Sequence, residues 1–172
     1  MIGPLYHRLR HWADTRGRHD LAALRDGLPP LLVDLRETAT SAQLADAILA
    51  RVLRGVQASH GALVADGAVT GTFGIVVAEA EGWQADDSLF PLRVKLAAEH
   101  SDLDGWLLVG PRADGSRYPG AEQRALESVA GPVAWALAIV LRRERAATEQ
   151  HWLLHSLDVR LTQLEMQLAA KS

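Results

Sequence analysis

The C-terminal third of the chain carries apolar residues at alternating spacings of three and four. This repeat averages about 3.5 residues, so it keeps one face of a helix against a partner helix and favours a left-handed coiled coil. We call these positions the seam: Val133, Ala136, Val140, Arg143, Ala147, Gln150, Leu154, Leu157, Leu161, Leu164 and Leu168. The seam residues other than Arg143 and Gln150 are predicted to form a dimer interface between two copies of the chain.

The seam predicts one long helix over residues 121–169. Gly131-Pro132 lies inside this range. Because proline removes one backbone hydrogen bond and crowds the preceding turn, we expect a kink there rather than a stop. The seam begins inside the globular part of the chain and continues beyond it, so the helix is predicted to pack on a domain and then to project from it.

Two shorter helical stripes precede residue 41. The first is predicted to end at Gly17 and consists of Ile2, Leu5, Leu9 and Trp12. The second has leucines at the same spacings, at Leu21, Leu24, Leu28, Leu31 and Leu35. Pro29-Pro30 lies inside this second stripe, and proline is tolerated in the first turn of a helix but disfavoured later. We therefore expect one helix to end near Gly27 and another to begin at Pro29 or Pro30.

The next helix is predicted over residues 42–59. Ser41 is expected to be its N-cap, because a serine hydroxyl accepts a hydrogen bond from an unpaired amide of the first turn. The apolar face of this helix consists of Leu44, Ile48, Val52 and Val56. Such a face indicates packing against a core.

From His60 onward the pattern changes to short apolar runs separated by turn residues, which is typical of strands. Strands are predicted over residues 61–65, 72–80, 89–97 and 106–109. The second of them is rich in Val and Ile and is expected to be central. Asp66-Gly67 predicts a tight turn. The predicted fold class is α+β, an antiparallel sheet packed on N- and C-terminal helices with a projecting coiled-coil helix.

Composition narrows the functional classes. The chain has 172 residues, no cysteine and a net charge of −3. Without cysteine there are no disulfides, thiolate nucleophiles, iron–sulfur ligands or thioether-linked chromophores. The mild charge gives no global attraction to nucleic acid. The longest uncharged apolar run, residues 129–141, is shorter than the roughly 20 residues of a membrane span, and no secretory signal is evident, so a soluble chain is expected.

Residues 105–116, read as Gly-Trp-Leu-Leu-Val-Gly-Pro-Arg-Ala-Asp-Gly-Ser, are followed by Tyr118 and by the helical residues 121–130. This stretch resembles the last strand, loop and dimer-forming helix of GAF domains in bacterial sensor histidine kinases. Phe90-Pro91-Leu92 is similar to the start of the preceding strand in that family. The resemblance covers residues 41–142, and its motifs are structural, not catalytic.

The resemblance implies a domain organisation. Residues 1–40 would be N-terminal linker helices, 41–142 the GAF-like domain and 143–172 a coiled-coil extension. Residues 6–14 are similar to the linker that precedes such a domain in membrane-anchored kinases. This likeness implies a piece of a cytoplasmic protein, with a membrane segment upstream and a kinase or other output domain downstream; tethering to the inner membrane in the full-length protein is left open.

The sequence departs from ligand-binding GAF domains in one respect. Those domains usually insert tens of residues between the second strand and the Pro-Leu strand, whereas here only residues 81–88 separate them. A ligand pocket needs walls that enclose most of a small molecule. We therefore expect a trimmed domain without a lid, a ligand cavity or a cofactor.

Two alternatives remain open. A small ligand could bind on the sheet face near Val76, Leu92 and Trp106. A phosphotransfer role would use His155, but no acidic residue follows it as in the kinases that this sequence resembles, and a position flanking the seam is favoured.

Other polar clusters have simpler interpretations. His100, Asp102 and Asp104 alternate and could bind a metal, but a hydrated turn is favoured, so no metal is predicted. Trp135 is expected in the core or at the dimer interface. A basic set near the amino end suits either anionic lipid or a solvated helix face: Arg8, Arg10, Arg16 and Arg18.

The leading hypothesis is a non-catalytic cytoplasmic signalling module that works as a parallel homodimer. Its helices from Ser41 and from Ala121 would form the shared bundle and relay a conformational change. No nucleic-acid partner and no enzyme activity are expected.

Overall fold

The computed structural model describes residues 4–84, 88–99 and 102–170, with side chains from Asp20 onward except that of Leu168. The order of elements is α1 (Pro4–Leu35), α2 (Ser41–Val56), β1 (Gly61–Ala65), β2 (Ala68–Phe73), α3 (Val77–Glu81), β3 (Leu92–Leu96), β4 (Gly105–Val109) and α4 (Gly120–Ala169). The predicted α+β class is confirmed: an antiparallel sheet is flanked by helices, and a long helix ends the chain.

The described strands form one sheet in the order β2-β1-β4-β3, and every neighbouring pair is antiparallel. Successive residues of a strand point to opposite faces, so β4 contributes Leu107 to one face and Leu108 to the other. The Leu107 face packs on α2 and α4 and forms the main core. The Leu108 face packs on α3 and the residues that follow it.

The main core explains why α2 and β3 form where the sequence predicted them. Ile48 and Val52 on the apolar face of α2 are fully buried, as is Leu137 of α4. On β3, Leu92, Val94 and Leu96 alternate toward this core.

The N-terminal helix α1 is continuous over 32 residues, so the predicted breaks at Gly17 and near Gly27 are wrong. Its leucine stripe packs on α2 and α4; the buried members are Leu24, Leu28 and Leu32. Pro29 and Pro30 lack the amides that would bond to the carbonyls of Arg25 and Asp26. Arg25 and Asp26 are exposed, so water can bond to their freed carbonyls. The packing of the leucine stripe on α2 and α4 holds the helix together.

Helix α2 begins one residue earlier than expected, with Thr40 as its N-cap in place of Ser41. The Thr40 hydroxyl accepts from the Gln43 amide at 3.2 Å, and the Gln43 side chain accepts from the Thr40 amide at 3.0 Å. This reciprocal pair is a capping box. The helix ends at Val56 and not at Ser59, because Gln57 has a positive φ of 56°.

Strand β2 differs most from prediction. Asp66 and Gly67 have φ of 51° and 78°, the geometry of a two-residue hairpin turn, and β2 therefore starts at Ala68. It is an edge strand, so the expected central strand over residues 72–80 is wrong. Gly74, with φ of 69°, turns the chain away from the sheet, and α3 follows.

The connection between β2 and β3 covers the Leu108 face, contrary to the expectation that it is too short to act as a lid. Phe90 and Ala80 from this connection are fully buried against Leu108. Trp83 packs against Trp106 with ring centroids 5.7 Å apart. Its residues 85–87 lie outside the described part of the chain.

Helix α4 runs for 50 residues, about 75 Å. It continues through Pro132, as predicted, and its first half packs on the domain. By length and composition alone α4 is long and apolar enough to cross a membrane, and half of its most apolar window is buried inside the domain. From Ala146 onward its described side chains are exposed, except that of Ser156, which is half-buried.

Candidate functional site

The seam divides into two parts. Val133, Ala136 and Val140 are 0%, 1% and 0% exposed because they pack in the core of their own chain. The prediction that these three residues contact a second copy is therefore wrong. The physical reason is that the domain itself covers the first half of α4, so the partner of this part of the repeat is the core of the same chain.

The second part of the seam lies on the projecting half of α4. Its leucines are more than half exposed: Leu154 68%, Leu157 55%, Leu161 60% and Leu164 55%. Ala147 is also exposed, and the side chain of Leu168 lies outside what the structure describes. These residues are available to a partner helix.

On a straight helix, part of the exposed apolar surface of the projecting half continues along the side of α4 that carries Trp135. At about 100° per residue, Leu153 and Leu157 lie on the same side of α4 as Trp135. Trp135 is 46% exposed and borders a shallow apolar groove of about 100 Å³ between α1 and α4. Val33 of α1, 51% exposed, lies on the same groove.

A second row of exposed apolar residues lies on the opposite side of the projecting helix. It consists of Trp152, Val159 and Met166, spaced by seven. This row makes the tail apolar on two sides, so an experiment on the seam needs a matched change in this row.

Two adjacent residues of α4, Arg143 and Glu144, contact the connection between α1 and α2. Arg143 donates from Nη1 to the carbonyl of Arg36 at 2.9 Å and from Nη2 to the carbonyl of Ala39. Glu144 accepts a hydrogen bond from the Ser41 amide at 2.8 Å. We call Arg143 and Glu144 the clamp.

The clamp suits the chemistry of helix ends. The last carbonyls of a helix and its first amides lack partners within the helix. The end of α1 therefore favours a cation and the start of α2 favours an anion, which Arg143 and Glu144 supply. Arg143 is a position of the predicted seam; the structure places its side chain in these contacts within its own chain.

Arg145, the next residue, pairs with Asp66 in the β1–β2 turn. The hydrogen bond from Arg145 lowers the pKa of Asp66 below its usual value, against the opposing effect of burial. Asp66 also accepts from the Asp104 amide at 3.2 Å. Three consecutive residues of α4 thus hold the end of α1, the start of α2 and the hairpin turn, at the point where α4 leaves the domain.

A second polar cluster lies at the other end of the packed half of α4. Glu122, 6% exposed, accepts from Arg112 Nη1 at 2.8 and 3.0 Å. Arg112 also donates to the Gln57 side chain at 3.1 Å. Burial raises the pKa of Glu122, and Arg112 partly offsets that rise. Burial also raises the pKa of Tyr118 to about 12.

Sequence reasoning missed the clamp and this second cluster. An acidic residue in the first turn of α4 was the available signal for Glu122. For the clamp there was no local signal, because its partners are backbone groups about a hundred residues away.

The other candidate residues are not brought together as a site. Leu92 lies on the main-core face of the sheet and Trp106 on the opposite face, while Val76 is 62% exposed. The face that would hold a ligand near Trp106 is occupied by Phe90.

The polar candidates are likewise dispersed. Asp104 pairs with Lys95, and Asp102 is exposed; His100 lies outside the described residues. His155 is exposed on α4.

Comparison with known proteins identifies the fold. No family model and no curated protein matches the sequence. The structure is similar to the GAF domain of a proposed sensor histidine kinase from Pseudomonas syringae pv. tomato, with a TM-score of 0.51 and 17% sequence identity. The match covers 87% of this chain and 99% of that domain. At this identity the likeness shows the fold and not the function. The chain therefore has a GAF-like fold, as the sequence resemblance predicted.

Proposed function

We propose that this chain is a non-catalytic signalling module, a parallel homodimer that passes a conformational change from α1 to the projecting half of α4. The observation that carries the proposal is the row of exposed leucines beyond Arg145. A helix of about 24 residues, roughly 36 Å long, with leucines at heptad spacing and no domain beside it gains stability by pairing with another helix.

The path of the helices supports a relay. Pro29 and Pro132 line the same groove between α1 and α4, and further along the Arg36 carbonyl accepts a hydrogen bond from Arg143. Residue numbers rise together, so α1 and α4 run in the same direction. The amino end of α1 and the carboxyl end of α4 therefore leave the domain at opposite ends.

Charges on the tail favour a parallel pairing of two copies. With Leu154 and Leu161 at a and Leu157 at d, Arg160 takes a g position and Glu165 the next e position. In a parallel, in-register coiled coil, g pairs with e of the following heptad on the other chain. Arg160 then faces Glu165 of the second copy, which is an attractive pair.

The structural neighbour supports the same class of function, since it is the GAF domain of a proposed sensor histidine kinase. By analogy we propose that this module lies in the cytoplasm between an upstream membrane segment and a downstream kinase or other output domain. Because the module is proposed to act by helix pairing, it needs no cofactor and no enzyme activity of its own.

Sedimentation equilibrium on the whole chain tests the proposal. We expect a dimer for the wild type and a monomer for Leu161→Asp, since a buried charge at an a position opposes pairing. Val159→Asp is the matched control on the opposite side of α4 and is expected to remain dimeric. A wild type that stays monomeric at its highest soluble concentration would overturn the proposal. Dissociation by Val159→Asp instead of Leu161→Asp would show that pairing uses the other face and would contradict the proposed seam.

A further inference from the structure

We infer that the clamp, Arg143 with Glu144, fixes the rotational phase of the projecting half of α4 against the α1–α2 connection, and that its release is the switching step of the module. The hydrogen bonds of the clamp are seen in the structure and do not depend on the function of the chain. Their role as a switch rests on the proposed function.

The clamp is placed where motion of α1 would reach α4 first. It bonds to the carbonyls of Arg36 and Ala39 in the connection directly after α1, and to the amide of Ser41 at the start of α2. Arg36 also places its guanidinium 4.5 Å from the ring centre of Trp135 on α4. A shift of α1 along or around its axis therefore displaces the acceptors of Arg143.

The local sequence allows only one phase of α4 at this point. Turning α4 by one residue, about 100°, brings either Arg142 or Glu144 to the carbonyls that Arg143 now contacts. With Glu144 there, a carboxylate would face carbonyl oxygens. With Arg142 there, Arg143 would move to the Ser41 amide, so two hydrogen-bond donors would meet.

A shift of α4 along its axis by one helical turn also loses the clamp contacts. It replaces Arg143 by Ile139 or Ala147, neither of which has a polar side chain. The carbonyls of Arg36 and Ala39 would then lose their cation. Because intermediate positions break charged, directional hydrogen bonds, the joint is expected to have discrete closed and open states and not a continuous range.

Amide hydrogen exchange, measured by NMR on the whole chain, tests the clamp. The Ser41 amide is the direct reporter because it donates to Glu144. We expect Glu144→Ala to speed its exchange about tenfold or more. Glu144→Gln, which keeps an acceptor oxygen, should restore part of the protection. Arg142→Ala, an exposed neighbour on the same helix, is the matched control and should leave the rate unchanged.

Cross-linking tests the phase. The chain has no cysteine, so single cysteines can be placed at Leu157, a d position, or at Leu153 beside the seam. In the otherwise unchanged chain we expect disulfides to form mainly at position 157. Adding Arg143→Ala and Glu144→Ala should spread cross-linking to position 153, with dimer mass and helical content retained. Arg143→Lys, which keeps the cation, should keep the original pattern.

The results of these experiments distinguish the proposed function from the role of the clamp. A monomeric wild type would remove the proposed function, while the exchange of Ser41 would still decide whether the clamp forms. Unchanged Ser41 exchange in Glu144→Ala would show that the clamp does not protect this amide and would overturn the inference. Faster exchange with an unchanged cross-linking pattern in a dimer would show that the clamp forms without setting the phase, and would overturn its role as a switch.

Discussion

Arg112 places one guanidinium nitrogen within 2.8 and 3.0 Å of the two carboxylate oxygens of Glu122. Both side chains are largely buried. The pair joins the loop after β4 to the first turn of α4, and Gln57 at the end of α2 accepts a further hydrogen bond from Arg112. The start of the long helix is therefore anchored by a buried ion pair.

Arg112→Ala is expected to lower the free energy of unfolding by about 3 kcal/mol, because it leaves the Glu122 carboxylate buried without its cation. Urea denaturation followed by circular dichroism measures this change. Arg117→Ala removes an exposed arginine from the same loop and should have little effect. Equal stability of the two variants would show that the ion pair does not anchor α4.

Glu122→Gln should change how stability depends on pH. The raised pKa of Glu122 means that the folded state binds its proton more tightly than the unfolded state does. From about pH 4.5 up to the folded pKa, this group therefore makes the wild type lose stability as pH rises. Glu122→Gln lacks this loss, so its stability relative to wild type should rise with pH through that window and then level off.

Urea titrations of both proteins from acidic to neutral pH give that difference directly. Asp66, whose pKa is lowered by Arg145, loses its stabilising effect as pH falls, but it is present in both proteins and cancels. A difference that is constant across the window would contradict the raised pKa of Glu122.

Reversing one charge of the tail tests the parallel pairing. In the proposed dimer, Arg160→Glu would face Glu165 of the other copy at two symmetric places. Repulsion of about 1 kcal/mol in total should raise the dissociation constant about fivefold at low salt. Adding Glu165→Arg should restore the attractive pair and return the dissociation constant to the wild-type value.

Analytical ultracentrifugation measures the dissociation constants of Arg160→Glu and of the double variant, with Asp158→Asn as a control for charge alone. Failure of the double variant to recover would point to antiparallel helices or another register.

Gly67→Ala tests the hairpin turn that brings Asp66 to Arg145. Gly67 has φ of 78° and no atom near its missing Cβ, so the cost is conformational alone, about 1–2 kcal/mol. Gly82→Ala, at φ of −83° and with only ordinary van der Waals contacts around a new Cβ, should change stability by less than about 0.5 kcal/mol. Chemical denaturation compares the two; similar values would contradict the turn geometry.

Much of the fold could be predicted because local patterns agree with tertiary packing. The apolar face of α2 and the alternation of β3 match the surfaces that these elements bury. The prediction failed where packing overrides a local breaker, as at Pro29-Pro30 in α1. It failed also where one turn sets the register: the two-residue turn at Asp66-Gly67 starts β2 early and leaves the later Val-rich residues outside the sheet.

The candidate site was harder to predict. A heptad repeat indicates that a helix packs against a partner, but it does not indicate whether the partner is part of the same chain or of another copy. Val140 and Leu154 share the repeat, yet one is buried in its own domain and the other is exposed. The clamp depends on the backbone of a distant connection, and no side-chain pattern encodes those carbonyls and amides.

If α4 relays a signal as proposed, its unbroken course from the domain to Ala169 makes the number of residues in it a functional variable. Each residue inserted after the domain turns everything downstream by about 100°, whereas about seven residues restore the orientation to within about 20°. In the proposed relay, fusions should therefore tolerate a spacer of about seven residues. Shorter insertions would leave the module folded while presenting its neighbour with the wrong face.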